Sequence, residues 1–343
     1  MPSSAPGRTA TATRTGEASS LKIEGLRVSA ATDQGRLDVI EDVSLQLYPG
    51  KITGLAGESG SGKTVTALSI MQLLEPKVLK VEAGRALLGE TDLLALRGKA
   101  LRATRGNAIS MVFQEPMTSL DPMFTVGWSI SEVIRGHTGV GKAEAKRRTI
   151  ELFEKVGIPH PEQRFNAYPF QMSGGQLQRV LIAMAVSCEP QVLIADEPTT
   201  ALDVTVQAQI MRLLQQLAKE GMAVLLVTHD MGVISEYTDN LVVMYAGQVI
   251  ESGTTREVIA APQHPYTSGL LASVPSTRER LDKLPSIAGK VPLLHEMPPG
   301  CRFAPRCRFT EEKCLAPVPL AVSERGRSVR CVRADELNLE GVE

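Results

Sequence analysis

Hydrophobic positions along the chain fall into two patterns. In Val43-Ser44-Leu45-Gln46-Leu47 apolar and polar residues alternate, the period of a strand with one buried face. Residues 51–56, 108–113, 192–195 and 223–227 are instead short, nearly unbroken apolar runs bounded by polar or turn residues. Such runs predict strands covered on both faces, as in a mostly parallel sheet. Helical periods fill the gaps, over residues 63–74, 144–156 and 205–219 for example. The alternation of strand and helix runs over about residues 21–261 without an internal repeat, which predicts one α/β unit.

Beyond residue 261 the texture changes. Pro262, Pro265, Pro275, Pro285, Pro292, Pro298, Pro299 and Pro305 interrupt any long element. Residues 262–343 therefore read as a loop-rich C-terminal extension. Residues 1–20 are Ser, Thr, Ala and Arg without the apolar stretch of a secretory leader, and a disordered tail is expected there. Composition narrows the picture further. The chain of 343 residues is 43% hydrophobic and 22% charged, ordinary values for a soluble globular protein. Its longest apolar runs, such as residues 180–186, fall far short of a membrane span. Lys and Arg total 37 against 38 Asp and Glu, so no basic excess asks for a nucleic-acid partner. An aromatic fraction of 4% argues against stacking platforms for single strands.

Gly57-Glu58-Ser59-Gly60-Ser61-Gly62-Lys63-Thr64 fits the phosphate-loop pattern G-x-x-x-x-G-K-[ST], with a strand expected before it and a helix after it. The glycines let backbone N–H groups curl toward phosphate oxygens, and the helix adds its positive N-terminus. Lys63 would reach the β- and γ-phosphates, and the Thr64 hydroxyl would ligate Mg²⁺. Val192-Leu193-Ile194-Ala195-Asp196-Glu197 is an apolar strand ending in two carboxylates. Alone it is as consistent with a solvated acidic turn. Beside a phosphate loop, Asp196 becomes the metal carboxylate and Glu197 the general base for an attacking water.

Together with Ser173-Gly174-Gly175-Gln176, these residues resemble an ATP-binding-cassette (ABC) ATPase. The rest of that family's motifs follow in its order. Gln114 matches the Q-loop and also joins Thr64 and Asp196 as an expected Mg²⁺ ligand. Met172-Ser173-Gly174-Gly175-Gln176 matches the signature, with Met where Leu is usual. Ala201-Leu202-Asp203 matches the D-loop and His229 the switch histidine. The resemblance implies a P-loop NTPase of α/β class: a mixed-sheet core, a helical subdomain at about residues 115–188, and the Cys-containing extension. It assigns catalysis to Lys63, Gln114, Glu197 and His229. ATP contacts fall to residues 57–64, to Ser173, Gly174, Gly175 and Gln176, and to Asp203. The family often stacks adenine on an aromatic near the end of the first strand, where this chain has Ala30.

Finer features resemble the oligopeptide/dipeptide importer branch. They are Phe113-Gln114-Glu115-Pro116-Met117-Thr118-Ser119-Leu120-Asp121-Pro122, the run from Glu197 to Gln207, His264-Pro265-Tyr266-Thr267, and Cys301-Arg302-Phe303-Ala304-Pro305-Arg306-Cys307. The resemblance implies a motor subunit of an importer for peptides or related solutes such as nickel chelates or opines. It would sit peripherally at the cytoplasmic face of the inner membrane, with two transmembrane permease subunits meeting residues 132–166 and the Q-loop. A second, different ATPase subunit would complete a head-to-tail dimer, and an external solute-binding protein would act through the permeases. The alternative is a soluble ABC ATPase acting on nucleic acid or ribosomes, which normally carries two cassettes, a coiled-coil insertion or zinc modules.

Cys301, Cys307, Cys314 and Cys331 are spaced C-x₅-C-x₆-C-x₁₆-C, looser than most zinc sites. Disulfides are not expected in a cytosolic ATPase. Four thiolates suit a [4Fe–4S] cluster, although the spacing is not a standard ferredoxin run. Importer ATPases that carry such a cluster add weight to it, with zinc and free thiols as the alternatives. Cys188 is expected to pack within a helix as a small hydrophobe.

Overall fold

The computed structural model describes residues 20–33, 35–273, 287–323 and 326–341. Apart from Ser20, the expected N-terminal tail lies outside them. β1 (Leu21–Thr32) and β2 (Gly35–Leu47) form an antiparallel hairpin. β3 (Ile52–Ala56), α1 (Lys63–Ile70), β4 (Leu79–Leu88), β5 (Thr91–Asp92), α2 (Gly98–Thr104) and β6 (Ile109–Val112) follow. Next come α3 (Pro116–Ser119), α4 (Val126–Thr138), α5 (Lys142–Lys155), α6 (Pro161–Arg164) and α7 (Gly174–Val186). β7 (Val192–Asp196), α8 (Val204–Lys219), β8 (Ala223–Val227), α9 (Met231–Tyr237), β9 (Asn240–Tyr245) and β10 (Gln248–Thr254) complete the central body. α10 (Thr255–Ala260), α11 (Pro265–Ala272), β11 (Ala321–Val322) and β12 (Ser328–Val329) belong to the C-terminal part.

Two sheets result. The main one has the order β11-β12-β10-β9-β3-β8-β7-β6, with β9, β3, β8, β7 and β6 mutually parallel and the other edge antiparallel. β3, β6, β7 and β8 are buried at every position, which is why they read as unbroken apolar runs. The second sheet, β2-β1-β4-β5, is antiparallel throughout. Its strands bury alternate residues such as Val43, Leu45 and Leu47, so they alternate in sequence. That buried face shares a core with α1 and the parallel strands through Leu21, Ile23, Leu47, Leu55, Ile70 and Leu225.

A second core joins α4, α5, α7 and α8 to the other side of the sheet through Ile130, Phe153, Leu177, Leu214 and Leu226. Each such side chain contributes about 1.5–3 kcal/mol by leaving water. A third core binds the C-terminal part to the sheet. Tyr245, Tyr266 and Phe303 form a buried aromatic cluster with centroid distances of 4.7, 5.2 and 5.4 Å. β12 also extends the main sheet, pairing Glu251 with Val329. The Glu251 carboxylate, fully buried, accepts from the Gln263 and His264 amides and pairs with Arg327 at 2.8 Å.

Two local expectations change. The helix expected over residues 63–74 ends at Ile70, because Gln72 takes a left-handed φ of 51° and its side chain bonds to the Leu93 and Leu96 carbonyls. Cys188 lies past the end of α7, half-buried, rather than inside a helix. Among the described residues no helix is long and apolar enough to cross a membrane.

Candidate active site

β3, β6, β7 and β8 end at one edge of the main sheet, and the polar residues gather in the loops beyond them. Residues 57–64 leave β3 and curl into α1. Gly57 carries φ 150°, and a Cβ there would lie 2.3 Å from the Met244 carbonyl oxygen, so only glycine fits. Gly62 caps α1 at φ 100°. Lys63 is buried and donates to the carbonyls of Gly57 at 2.7 Å and Glu58 at 3.1 Å. Burial lowers its pKa, opposed by the charges of Glu197, Asp196 and Glu58. The Ser61 hydroxyl is buried without a protein partner among the described residues.

Thr64 Oγ1 donates to Asp196 Oδ1 at 3.2 Å, which brings two of the expected Mg²⁺ ligands together across 132 residues. Burial raises the Asp196 pKa, with the Thr64 hydrogen bond and Lys63 opposing. A hydroxyl beside a buried carboxylate short of positive charge fits a divalent cation bound to phosphate. Gln114, the third expected ligand, donates its amide to Glu197 Oε2 at 3.1 Å.

Glu197 is the centre of the polar network. It follows the last residue of β7 with a left-handed φ of 45°. Its Oε1 lies 3.0 Å from His229 Nδ1, and its Oε2 accepts from Thr200 Oγ1 at 2.9 Å as well as from Gln114. Burial alone would raise its pKa. The hydrogen bonds of His229 and Thr200, with the charges of His229 and Lys63, carry it below the usual carboxylate value. The carboxylate is thus ionised and oriented at neutral pH, as a base acting on water requires.

Ser173 caps α7 in a reciprocal box with Gln176, at 3.3 and 3.2 Å. Asp203 caps α8 by accepting from the Val206 amide at 2.9 Å. The two ends adjoin: a Cβ on Gly175 would lie 2.6 Å from Val206. Among the described residues, the hydrogen bonds of Ser173, Gln176 and Asp203 stay within these caps and do not reach residues 57–64. Ser173 and Gly174 at the start of α7 are exposed. Ala30 sits in β1 between Leu37 of β2 and Leu79 of β4.

Cys301, Cys307, Cys314 and Cys331 all line one narrow cavity of about 20 Å³, with Phe303, Phe309 and Val332. All four are free. Burial pushes the Cys301 thiol up to about 11 and raises Cys307 and Cys331. Among the described residues, no group of three or more His, Cys, Asp or Glu side chains is disposed to hold a metal ion as it stands.

A phosphate loop, a hydroxyl–carboxylate pair beside it, and a carboxylate held by a Q-loop glutamine and a switch histidine define a P-loop ATPase of the cassette class. Residues 40–200 match the family model described as ABC transporter. Residues 250–314 match the C-terminal region of oligopeptide/dipeptide transporters. A Brucella abortus protein described as a peptide import ATP-binding protein is 49% identical over 330 residues, covering 92% of this chain and 98% of its own. A Brucella suis protein of the same description is 47% identical over 312 residues, covering 91% and 94%. The ATP-binding cassette MJ0796, a dimer bound to ADP and Pi after hydrolysis, has a TM-score of 0.62 and 27% identity, over 69% of this chain and 99% of that one. The cbiO1 protein of Clostridium perfringens, part of the cbiONQ transporter complex, gives 0.60 and 29% over 71% and 91%.

The chain belongs to the ABC transporter family, in its oligopeptide/dipeptide branch. It is a transport-coupled ATPase that uses ATP and Mg²⁺, and the reading as a nucleic-acid or ribosome ATPase is not favoured.

Sequence reasoning missed three residues at the site. Thr200 stands three residues beyond Glu197, so its hydroxyl had a local signal. Tyr266 and Arg306, which contact Glu58 from 208 and 248 residues away, had none.

Proposed function

We propose that this protein is the ATP-hydrolysing motor of an importer for peptides or related solutes such as nickel chelates or opines. It works peripherally at the cytoplasmic face of the inner membrane with two permease subunits. The observation that carries the reading is Glu197, held by Gln114, Thr200 and His229 beside the Thr64–Asp196 pair, on a chain that also carries the peptide-transporter extension. Lys63 and the backbone of residues 57–64 bind the triphosphate. Thr64, Asp196 and Gln114 would hold Mg²⁺, which would supply neutralising charge at the phosphates. Glu197 takes the proton of the attacking water, and His229 orients the carboxylate and the γ-phosphate.

Ser173, Gly174, Gly175 and Gln176, with Asp203, cover nucleotide bound to a second ATPase subunit, a different chain in our reading. Their exposed caps and the dimeric MJ0796 cassette support this. An external binding protein delivers the solute. Met123, Phe124, Trp128, Tyr168 and Phe170 are exposed, and Val126 and Gly127 bond to the Ala167 and Phe165 carbonyls, so the two aromatic pairs lie on adjoining segments. That apolar surface next to the Q-loop supports permease docking there.

The four cysteines are proposed to hold a structural [4Fe–4S] cluster, with zinc as the alternative. Their convergence on one cavity supports this. Hydrogen bonds from the backbone of Phe303, Phe309 and Arg333 to Cys301, Cys307 and Cys331 offset part of the burial that raises these thiols. Either group would tie the extension together.

Affinity purification of the tagged chain from membranes tests the assembly. Two membrane-spanning subunits and a second cassette ATPase should co-purify. An active transporter in which this chain is the only ATPase would refute the heterodimer.

A further inference from the structure

The segment from Cys301 to Cys307 places Arg306 against the phosphate loop and Arg302 against the turn that braces it. Arg306 is 5% exposed and forks onto the Glu58 carboxylate at 2.8 and 3.1 Å. It is held in turn by the Ala288 and Ile287 carbonyls at 2.9 and 3.3 Å and lies over the rings of Tyr245 and Phe303. Glu58 is the only acidic residue among residues 57–64, and its amide donates to Tyr266 Oη at 2.8 Å. Arg302 donates to the Ala246 carbonyl and pairs with Glu41. The adjacent Gly247 amide donates to the Ser61 carbonyl at 2.9 Å, and the Glu41 amide donates back to Gly247 at 2.9 Å. The curled loop is thus gripped at Glu58 directly and at Ser61 through one intervening turn.

We propose that Arg306 and Arg302 are positioning residues for the phosphate loop. Arg306 also neutralises the carboxylate that the loop itself carries, so the C-terminal extension sets the affinity for nucleoside triphosphate. The reasoning is electrostatic and steric. A free carboxylate in a triphosphate cradle repels the ligand, and in this partly dry site the repulsion is only weakly screened. A bidentate guanidinium removes the charge and fixes the Glu58 backbone, whose carbonyl accepts from Lys63. Lysine at position 306 would keep the charge and lose the fork.

The inference rests on residues 57–64 being the triphosphate site, and the experiment separates the two. Equilibrium affinity for Mg–ATP is measured on the full chain for wild type, Arg306→Gln, Glu58→Gln, the double variant and Lys63→Ala. Arg306→Gln should weaken binding about 5- to 30-fold, Glu58→Gln by no more than about threefold, and the double variant should return to the Glu58→Gln level. A merely structural Arg306 would leave the double variant as weak as Arg306→Gln, and that result, or unchanged affinity in Arg306→Gln, overturns the proposal. Lys63→Ala should weaken binding in every case; if it does not, the site reading itself fails. Should Arg306→Gln not fold, the neutral, long-chained Arg306→Met serves instead: a loss of about 5- to 30-fold that Glu58→Gln removes is expected, and no loss, or a loss that Glu58→Gln leaves in place, overturns the proposal.

Discussion

His229 Nδ1 lies 3.0 Å from Glu197 Oε1. The contact ties the loop after β8 to the residue after β7, so each reports on the position of the other. Thr200 and Gln114 occupy the second oxygen. The carboxylate is therefore fixed from three elements, and its left-handed backbone, at φ 45°, aims it away from the strand it follows. Non-glycine residues held in that region cluster at functional sites.

If Glu197 is the base, Glu197→Gln keeps the shape and loses the proton acceptor. Steady-state hydrolysis should fall by about 10²- to 10⁴-fold with ATP affinity retained. ATP-bound dimers should then accumulate in size-exclusion chromatography. Near-normal turnover would remove Glu197 from the role.

Thr200→Val removes a hydroxyl that holds Glu197 ionised. The Glu197 pKa, depressed in part by that hydrogen bond, should rise. Loss of the ionised base on the acid side then begins at higher pH, so the acid limb of the kcat profile should move to higher pH. An unmoved limb would show that Thr200 does not tune the base.

The buried His264 links pH to stability. Burial lowers its pKa to about 3 from an ordinary 6.5, and its Nδ1 accepts from the Tyr266 amide at 3.0 Å. Between those values the unfolded chain binds the extra proton, so stability is fully present above about pH 6.5 and falls with decreasing pH. The slope from this one group reaches about 1.4 kcal/mol per pH unit. His264→Asn should flatten the dependence of melting temperature on pH across this window. An identical dependence in both proteins would contradict the assignment.

Much of this was legible in the chain because the information is local. The phosphate loop, the Asp196-Glu197 strand end and the Ser173–Gln176 cap each lie within a few residues and carry their own geometric demand. The parallel strands announced themselves as continuous apolar runs, and Val43 to Leu47 alternated because one face of the antiparallel sheet is covered. Contacts closed by the tertiary fold left no such trace. Arg306 meets Glu58 across 248 residues and Arg327 meets Glu251 across 76. Neither pairing follows from spacing or propensity. The early end of α1 depends on Leu93 and Leu96 accepting from the Gln72 side chain, again a tertiary fact.

Replacing Cys314 with Ser substitutes a hydroxyl for a thiolate, a far poorer ligand for iron. Anaerobically purified wild type should be brown, with iron and sulfide near four each per chain as a cubane requires. The Cys314→Ser protein should lose both, and limited proteolysis should then cut within the extension. Colourless wild type with one zinc and no sulfide would establish zinc instead.

The central claim is that hydrolysis at Glu197 drives solute uptake. It is tested most directly by mass-spectrometric uptake of a mixed peptide library into cells that carry either wild type or Glu197→Gln as their sole copy, at matched membrane levels of the transporter. The account predicts that peptides enter with wild type and that their uptake falls to background with Glu197→Gln. Equal peptide uptake in the two strains would contradict it.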